Sequence, residues 1–199
     1  MIYGFIRRIV KAIITVLYRV RIEGLGNFPT TGAVVLCANH TFYKDLLIIG
    51  SISPRKIHWM AKSELFKNPL FGALIRKLGA FPVHRGSNDK GSVKTVYNVL
   101  GGGAVLGIFP EGTRAGDPNV RPPIKRSFVT FAANTGAAIL PVAVSYAGGP
   151  FGRGRLFSRT AISFGEAVSL GQGRKYSREE LDGHAATIMA WVYSRIATP

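Results

Sequence analysis

Ala33-Val34-Val35-Leu36-Cys37-Ala38-Asn39-His40-Thr41-Phe42-Tyr43-Lys44-Asp45 contains an unbroken run of apolar and small residues that gives way abruptly to polar and aromatic ones. A strand buried on both faces has this continuous apolar character, and parallel sheets covered by helices are built from such strands. Similar runs occupy residues 56–60, 80–84, 104–109, 139–145 and 160–164. Helix-length segments separate them at 45–51, 63–78 (interrupted by Pro69), 91–100, 125–134 and 177–196. The last opens with Ser177 and Glu180 at capping-box spacing. This alternation predicts an α/β fold: a single domain with a mostly parallel central sheet flanked by helices. The Gly/Arg-rich stretch 148–155 reads as a connection between two strands, and no internal repeat is present.

At 199 residues and 47% apolar composition, the chain is long enough for one substantial core. Its 26 basic against 10 acidic residues, a formal charge of +16, call for an anionic partner: a membrane surface, a phosphorylated substrate, an acidic carrier or nucleic acid. The single cysteine, Cys37, excludes an intrachain disulfide and reads as a small buried hydrophobe on a strand.

Residues 2–18 contain no proline. At about 100° per residue, Arg7, Arg8, Lys11 and Arg19 share one arc with Gly4 and Thr15, while Ile2, Phe5, Ile6, Ile9, Val10, Ile13, Val16 and Leu17 fill the opposite one. The pattern predicts a basic amphipathic helix over 1–21 that lies on an anionic membrane, followed by the α/β domain over 22–199. A helix packed on the domain's own core is the alternative. The uncharged stretch from Ala12 to Tyr18 is far shorter than the roughly 20 residues a membrane span requires. Arg19 and Arg21 follow it without a small-residue cleavage site, so a signal peptide is not expected. These features point to a peripheral or monotopic protein on the cytoplasmic face of the cell membrane.

Chemistry is expected where strands end, since α/β sheets assemble their sites at the carboxyl ends of strands. His40 and Asp45 follow the first such run. On an ideal helix their five-residue offset would place them about 140° apart, so they can meet only across a turn, with Asp45 at a helix start. There Asp45 can accept the Nδ1 proton of His40, leaving Nε2 to act as base toward an incoming hydroxyl. No Gly-x-Ser-x-Gly elbow occurs, so the nucleophile is expected to be the hydroxyl of the substrate. A second segment, Phe109-Pro110-Glu111-Gly112-Thr113-Arg114, also ends an apolar run. Arg114 suits phosphate, Gly112 allows close approach of a substrate, and Glu111 can bind a headgroup hydroxyl or hold Arg114. His58, His84 and His184 read as structural or surface residues. No zinc-type spacing is present, and Gly101-Gly102-Gly103 reads as a turn.

Together, Asn39-His40-x4-Asp45, Gly79-Ala80-Phe81-Pro82-Val83-His84-Arg85-Gly86, Phe109-Pro110-Glu111-Gly112-Thr113-Arg114 and Ile139-Leu140-Pro141-Val142 resemble, in order, the blocks of the glycerophospholipid acyltransferase family. The likeness runs from about residue 22 to residue 166 and includes Ala61-Lys62-Ser63-Glu64-Leu65-Phe66. It implies that His40 and Asp45 are the catalytic pair, and that Arg85 and the Glu111, Gly112, Thr113, Arg114 block hold the phosphate of the acceptor. Lys125 is assigned to substrate binding as well, and the Pro141 block to the floor of the site. The implied reaction moves a fatty acyl group from acyl-CoA or acyl-acyl carrier protein to the sn-2 hydroxyl of 1-acyl-glycerol 3-phosphate. Lys62 or a backbone N–H near Gly112 is the expected oxyanion donor. No metal or other cofactor is expected, and the partners are an anionic membrane, a lysophospholipid and the acyl donor, with no nucleic acid. Other acceptors, or a basic binding module without catalysis, are the competing readings. Two positions depart from the family: Phe42 stands where serine is frequent, and Ser127 where glycine often follows the basic pair Lys125-Arg126. Phe42 lies between base and partner and bears on the shape of the headgroup pocket.

Overall fold

The computed structural model describes residues 2–84, 89–116, 120–147, 157–171 and 173–196, with Ile2, Tyr3 and Phe5 as backbone only. Arg85, Gly86 and the 148–155 connection lie outside the described residues. The elements in chain order are α1 (Ile2–Tyr18), β1 (Val20–Glu23), β2 (Val34–Ala38), α2 (Asp45–Ile52), β3 (Ile57–Lys62), α3 (Pro69–Lys77), β4 (Phe81–Val83), α4 (Lys90–Gly101), β5 (Val105–Ile108), α5 (Ser127–Thr135), β6 (Ala138–Tyr146), β7 (Thr160–Phe164) and α6 (Arg178–Ser194). The seven strands are ordered β1-β7-β6-β2-β5-β3-β4. Every neighbouring pair is parallel except β6 and β7, so the mostly parallel sheet inferred from the apolar runs is the one found.

Successive residues of a strand face opposite sides of the sheet, and the core divides accordingly. Val34, Leu36 and Ala38 of β2 and Leu140, Val142, Val144 and Tyr146 of β6 pack with α2 on one face. Val35 and Cys37, with Ile139 and Ala143, pack with α4, α5 and α6 on the other. Cys37 is fully buried there, and burial pushes its thiol far above the ordinary range.

Local signals set the helix starts. Asn68 caps α3 by accepting the N–H of Phe71, with Pro69 in the first turn; Asp89 caps α4 through Ser92 N–H; and Ser177 and Glu180 form a complete capping box on α6. Gly136, in the left-handed region, ends α5. Sequence reading had no strand at β1. Its four residues alternate half-buried Val20 and Ile22 with exposed Arg21 and Glu23, as an edge strand does, and only pairing with β7 makes it one.

The N-terminal helix meets the domain along the border between its apolar and basic arcs. Val10, Ile14 and Tyr18 pack on the α2 side of the core, while Ile9, Ile13 and Val16 face outward. Arg7 turns inward as well, donating to the carbonyl of Ser53 at the C-terminal end of α2, where a cation complements the helix dipole. No described helix is long and apolar enough to cross a membrane.

Candidate active site

β2 and β5 are adjacent, with Cys37 opposite Ile108, so the segments that follow them emerge side by side. Ala115 N–H donates to the carbonyl of His40 at 2.8 Å and Gly116 N–H to that of Thr41 at 3.2 Å, which fastens the two segments together. On the other flank, the side chain of Asn39 donates to Val144 O and accepts from Val144 N–H, holding the end of β2 to β6.

Between β2 and α2 the chain turns so that His40 Nδ1 lies 3.0 Å from Asp45 Oδ2. That oxygen also accepts the N–H groups of Thr41 at 2.7 Å and Phe42 at 2.8 Å. Asp45 is fully buried, and its other oxygen receives the hydroxyl of Tyr146. Burial and the neighbouring Asp45 charge push the Tyr146 phenol far up, so it serves as a donor. An ionised carboxylate is an acceptor only, so Asp45 selects the histidine tautomer that carries its proton on Nδ1 and leaves Nε2 as the acceptor.

The ring of His40 is stacked on Phe109, with centroids 3.9 Å apart and planes 12° from parallel; Trp59 continues the stack behind Phe109 at 5.0 Å. Gly107 makes room for this arrangement, because a Cβ there would stand 2.4 Å from Trp59 Cε3. Packing on one face and the Asp45 hydrogen bond at one edge leave the His40 side chain 12% exposed.

His40 lines a cavity of about 570 Å³, a volume in the range of small-molecule sites. Apolar side chains from α1, α2, β3 and α3 form most of its wall, and Lys62, Thr113 and Arg114 share its lining with His40. The Arg114 guanidinium carbon lies 3.3 Å from the Tyr43 ring centroid, and its Nη1 is buried with no hydrogen-bond partner among the described residues. Such a group suits an anionic oxygen.

The other expected site residues stand back from the cavity. Glu111 is buried, its Oε2 accepting the backbone N–H of His40 at 2.8 Å and its Oε1 the hydroxyl of Tyr193 at 2.9 Å. It braces the histidine and makes no ion pair with Arg114. Burial raises its carboxyl above the ordinary range, partly offset by those two donors. Gly112 has φ +65°, and a Cβ there would lie 2.9 Å from Lys125 Nζ. Lys125 is tied to this turn through its N–H to Pro110 O at 2.9 Å, and it lies in a shallow surface groove with Arg126 and Asp182.

Asn39, Tyr146, Tyr193 and the Phe109 and Trp59 stack also support the site, and sequence reading did not assign them. Asn39 belonged to a noted motif, whereas Tyr146 and Tyr193 reach their partners across 101 and 82 residues with no local signature.

Fold and site define the class: an α/β enzyme with a histidine and carboxylate pair at the carboxyl end of its sheet. The acyltransferase family model matches residues 19–145, and the chain belongs to that family. It is 34% identical over 158 residues to the 1-acyl-sn-glycerol-3-phosphate acyltransferase of Bacillus subtilis (strain 168), covering 79% of this chain and 76% of that one. A lyso-ornithine lipid O-acyltransferase of Pseudomonas aeruginosa is 34% identical over 110 residues, 55% of this chain and 42% of that protein. The crystal structure of the 1-acyl-sn-glycerophosphate (LPA) acyltransferase PlsC from Thermotoga maritima superposes with a TM-score of 0.75 at 26% identity, over 96% of this chain and 77% of that one.

Proposed function

We propose that the chain transfers a fatty acyl group from an acyl thioester to the sn-2 hydroxyl of 1-acyl-glycerol 3-phosphate, with His40 as general base. The observation that carries this reading is the position of His40, bound to Asp45 through Nδ1 and bordering an apolar cavity that also contains Arg114 and Lys62. Nε2 takes the proton of the glycerol hydroxyl as its oxygen attacks the thioester carbonyl. The tetrahedral oxyanion then collapses, expelling the thiolate, and the imidazolium returns the proton to it. Asp45 stabilises the transient positive charge on the ring. General-base assistance of this kind supplies about 10²–10⁴ in rate. Arg114 is placed for the acceptor phosphate, with Thr113 beside it, and Lys62 for the oxyanion. Glu111, Gly112 and Lys125 shape the same loop from behind, and Arg85 is assigned to the phosphate from the sequence motif alone.

The donor is acyl-CoA or acyl carrier protein, both of which suit a chain of net charge +16. Residues 1–21 act as the membrane-association segment and 22–199 as the acyltransferase domain, peripheral on the cytoplasmic leaflet. The Pseudomonas relative favours a second acceptor, lyso-ornithine lipid, which lacks a phosphate for Arg114. The test measures free coenzyme A released from acyl-CoA with lysophosphatidic acid, with lyso-ornithine lipid and with neither, for the native chain and for His40→Ala. Release that depends on lysophosphatidic acid and is lost in H40A supports the proposal. Release with lyso-ornithine lipid alone replaces the acceptor, and equal release by H40A overturns the role of the histidine.

A further inference from the structure

The cavity beside His40 opens through a rim that is itself apolar and exposed. Tyr43, Leu47, Leu65, Phe71 and Leu74 line the cavity and also face solvent, and Leu70, one residue before Phe71, is 84% exposed. Soluble proteins seldom leave contiguous patches of this kind uncovered. Much of the patch belongs to α3, a helix well formed at its start by the Asn68 cap and Pro69, in which Gly72 is the one buried residue. Within α3 the charges are Arg76 and Lys77, both basic and in its last turn, and Lys67 precedes the helix. Arg76 lies 4.6 Å from the ring of Phe66. Across the cavity, α1 contributes Ile6 and Val10 to the wall and turns Ile9, Ile13 and Val16 outward, accompanied by exposed Arg8 and Lys11. Two apolar helices that carry cations therefore flank one opening.

We infer that α3 is a second membrane-docking element, which inserts Leu70 and its exposed apolar neighbours into an anionic phospholipid leaflet and seats the cavity mouth on the bilayer. Apolar side chains reach the acyl region while Lys67, Arg76 and Lys77 meet anionic headgroups, the arrangement by which interfacial helices bind. A lipid acceptor then reaches His40 sideways from the leaflet without crossing water. This rests on the proposed lipid substrate only for its consequence, since docking itself is read from vesicle binding.

The test uses the full chain, with α1 intact, and vesicles of phosphatidylcholine with phosphatidylglycerol. Leu70→Glu, at a position that lies outside the cavity lining, is expected to lower the vesicle-bound fraction constant by about tenfold or more. Turnover of short-chain, water-soluble acyl-CoA and lysophosphatidic acid should remain at the native level, and turnover of vesicle-borne acceptor should fall. In a second variant, Leu70→Cys carries an environment-sensitive fluorophore, Cys37 being buried and unreactive. Its emission should shift to the blue with these vesicles and not with pure phosphatidylcholine. Unchanged vesicle binding by L70E, or no spectral shift on vesicles that pellet the native chain, overturns the inference. So does a shift that tracks protein concentration without lipid, which would assign the patch to a second copy. Absence of turnover in the native chain with both acyl-CoA and acyl-acyl carrier protein as donor would refute the proposed reaction and leave the vesicle results to decide docking.

Discussion

Tyr146, the last residue of β6, donates its hydroxyl to the Asp45 oxygen that His40 does not use. Asp45, itself without solvent exposure, thereby receives donors on both oxygens. Tyr146→Phe removes one donor and leaves a buried acceptor unsatisfied, a change that costs about 1–3 kcal/mol. The unfolding midpoint in urea should fall accordingly. Tyr146 touches Asp45 and lies outside the cavity lining, so kcat should drop by about tenfold with KM for the acceptor nearly unchanged.

Glu111 couples the backbone of His40 to α6 through Tyr193. Its carboxyl is raised by burial, so the native state keeps that proton to higher pH than the unfolded chain does. Over that interval the native state binds more protons, and stability falls as pH rises from the ordinary glutamate range through the raised value. The difference in unfolding free energy between Glu111→Gln and the native chain should therefore move in favour of the variant as pH rises. Tyr193→Phe, which removes a donor that lowers the Glu111 pKa, should shift the inflection upward. Urea titrations at a series of pH values measure both.

The stack beneath His40 depends on Gly107. A methyl group at that position meets the Trp59 ring, so Gly107→Ala must displace Trp59 and, through Phe109, the histidine. Overpacking of this kind costs about 1–3 kcal/mol. Turnover should fall along with stability, whereas Gly103→Ala, with open space around its Cβ but φ +68°, should cost stability alone.

Lys44 lies over the rings of Tyr18 at 4.1 Å and Tyr146 at 4.7 Å, and burial pushes it down to about 8 against the opposing influence of Asp45. An unfolded lysine holds its proton to about 10.4, so above about pH 8 the unfolded chain binds more protons and stability rises with pH. Lys44→Met should lack that rise, and thermal unfolding between about pH 7 and 9.5 distinguishes the two chains.

Much of this molecule follows from short-range information. The apolar runs become β2 to β7 because a continuous run long enough for a strand must be buried on both faces, and the segments between them are long enough to return as helices. His40 and Asp45 meet because five residues and one turn confine them to each other's reach. Other features depend on strand order. β2 lies between β5 and β6, which brings Glu111 and Tyr146 to opposite sides of one histidine and aspartate pair from 71 and 101 residues away. The alternating pattern of β1 was too short to be recognised without its partner. Amphipathicity identified α1 as a helix, but packing against α2 determined that the border between its two arcs, at Val10, Ile14 and Tyr18, is the side that is covered. Periodicity states that a side chain is apolar and which way it points along its own helix. What lies opposite is set by long-range contacts, and from these come the cavity, its exposed rim and the inward turn of Glu111.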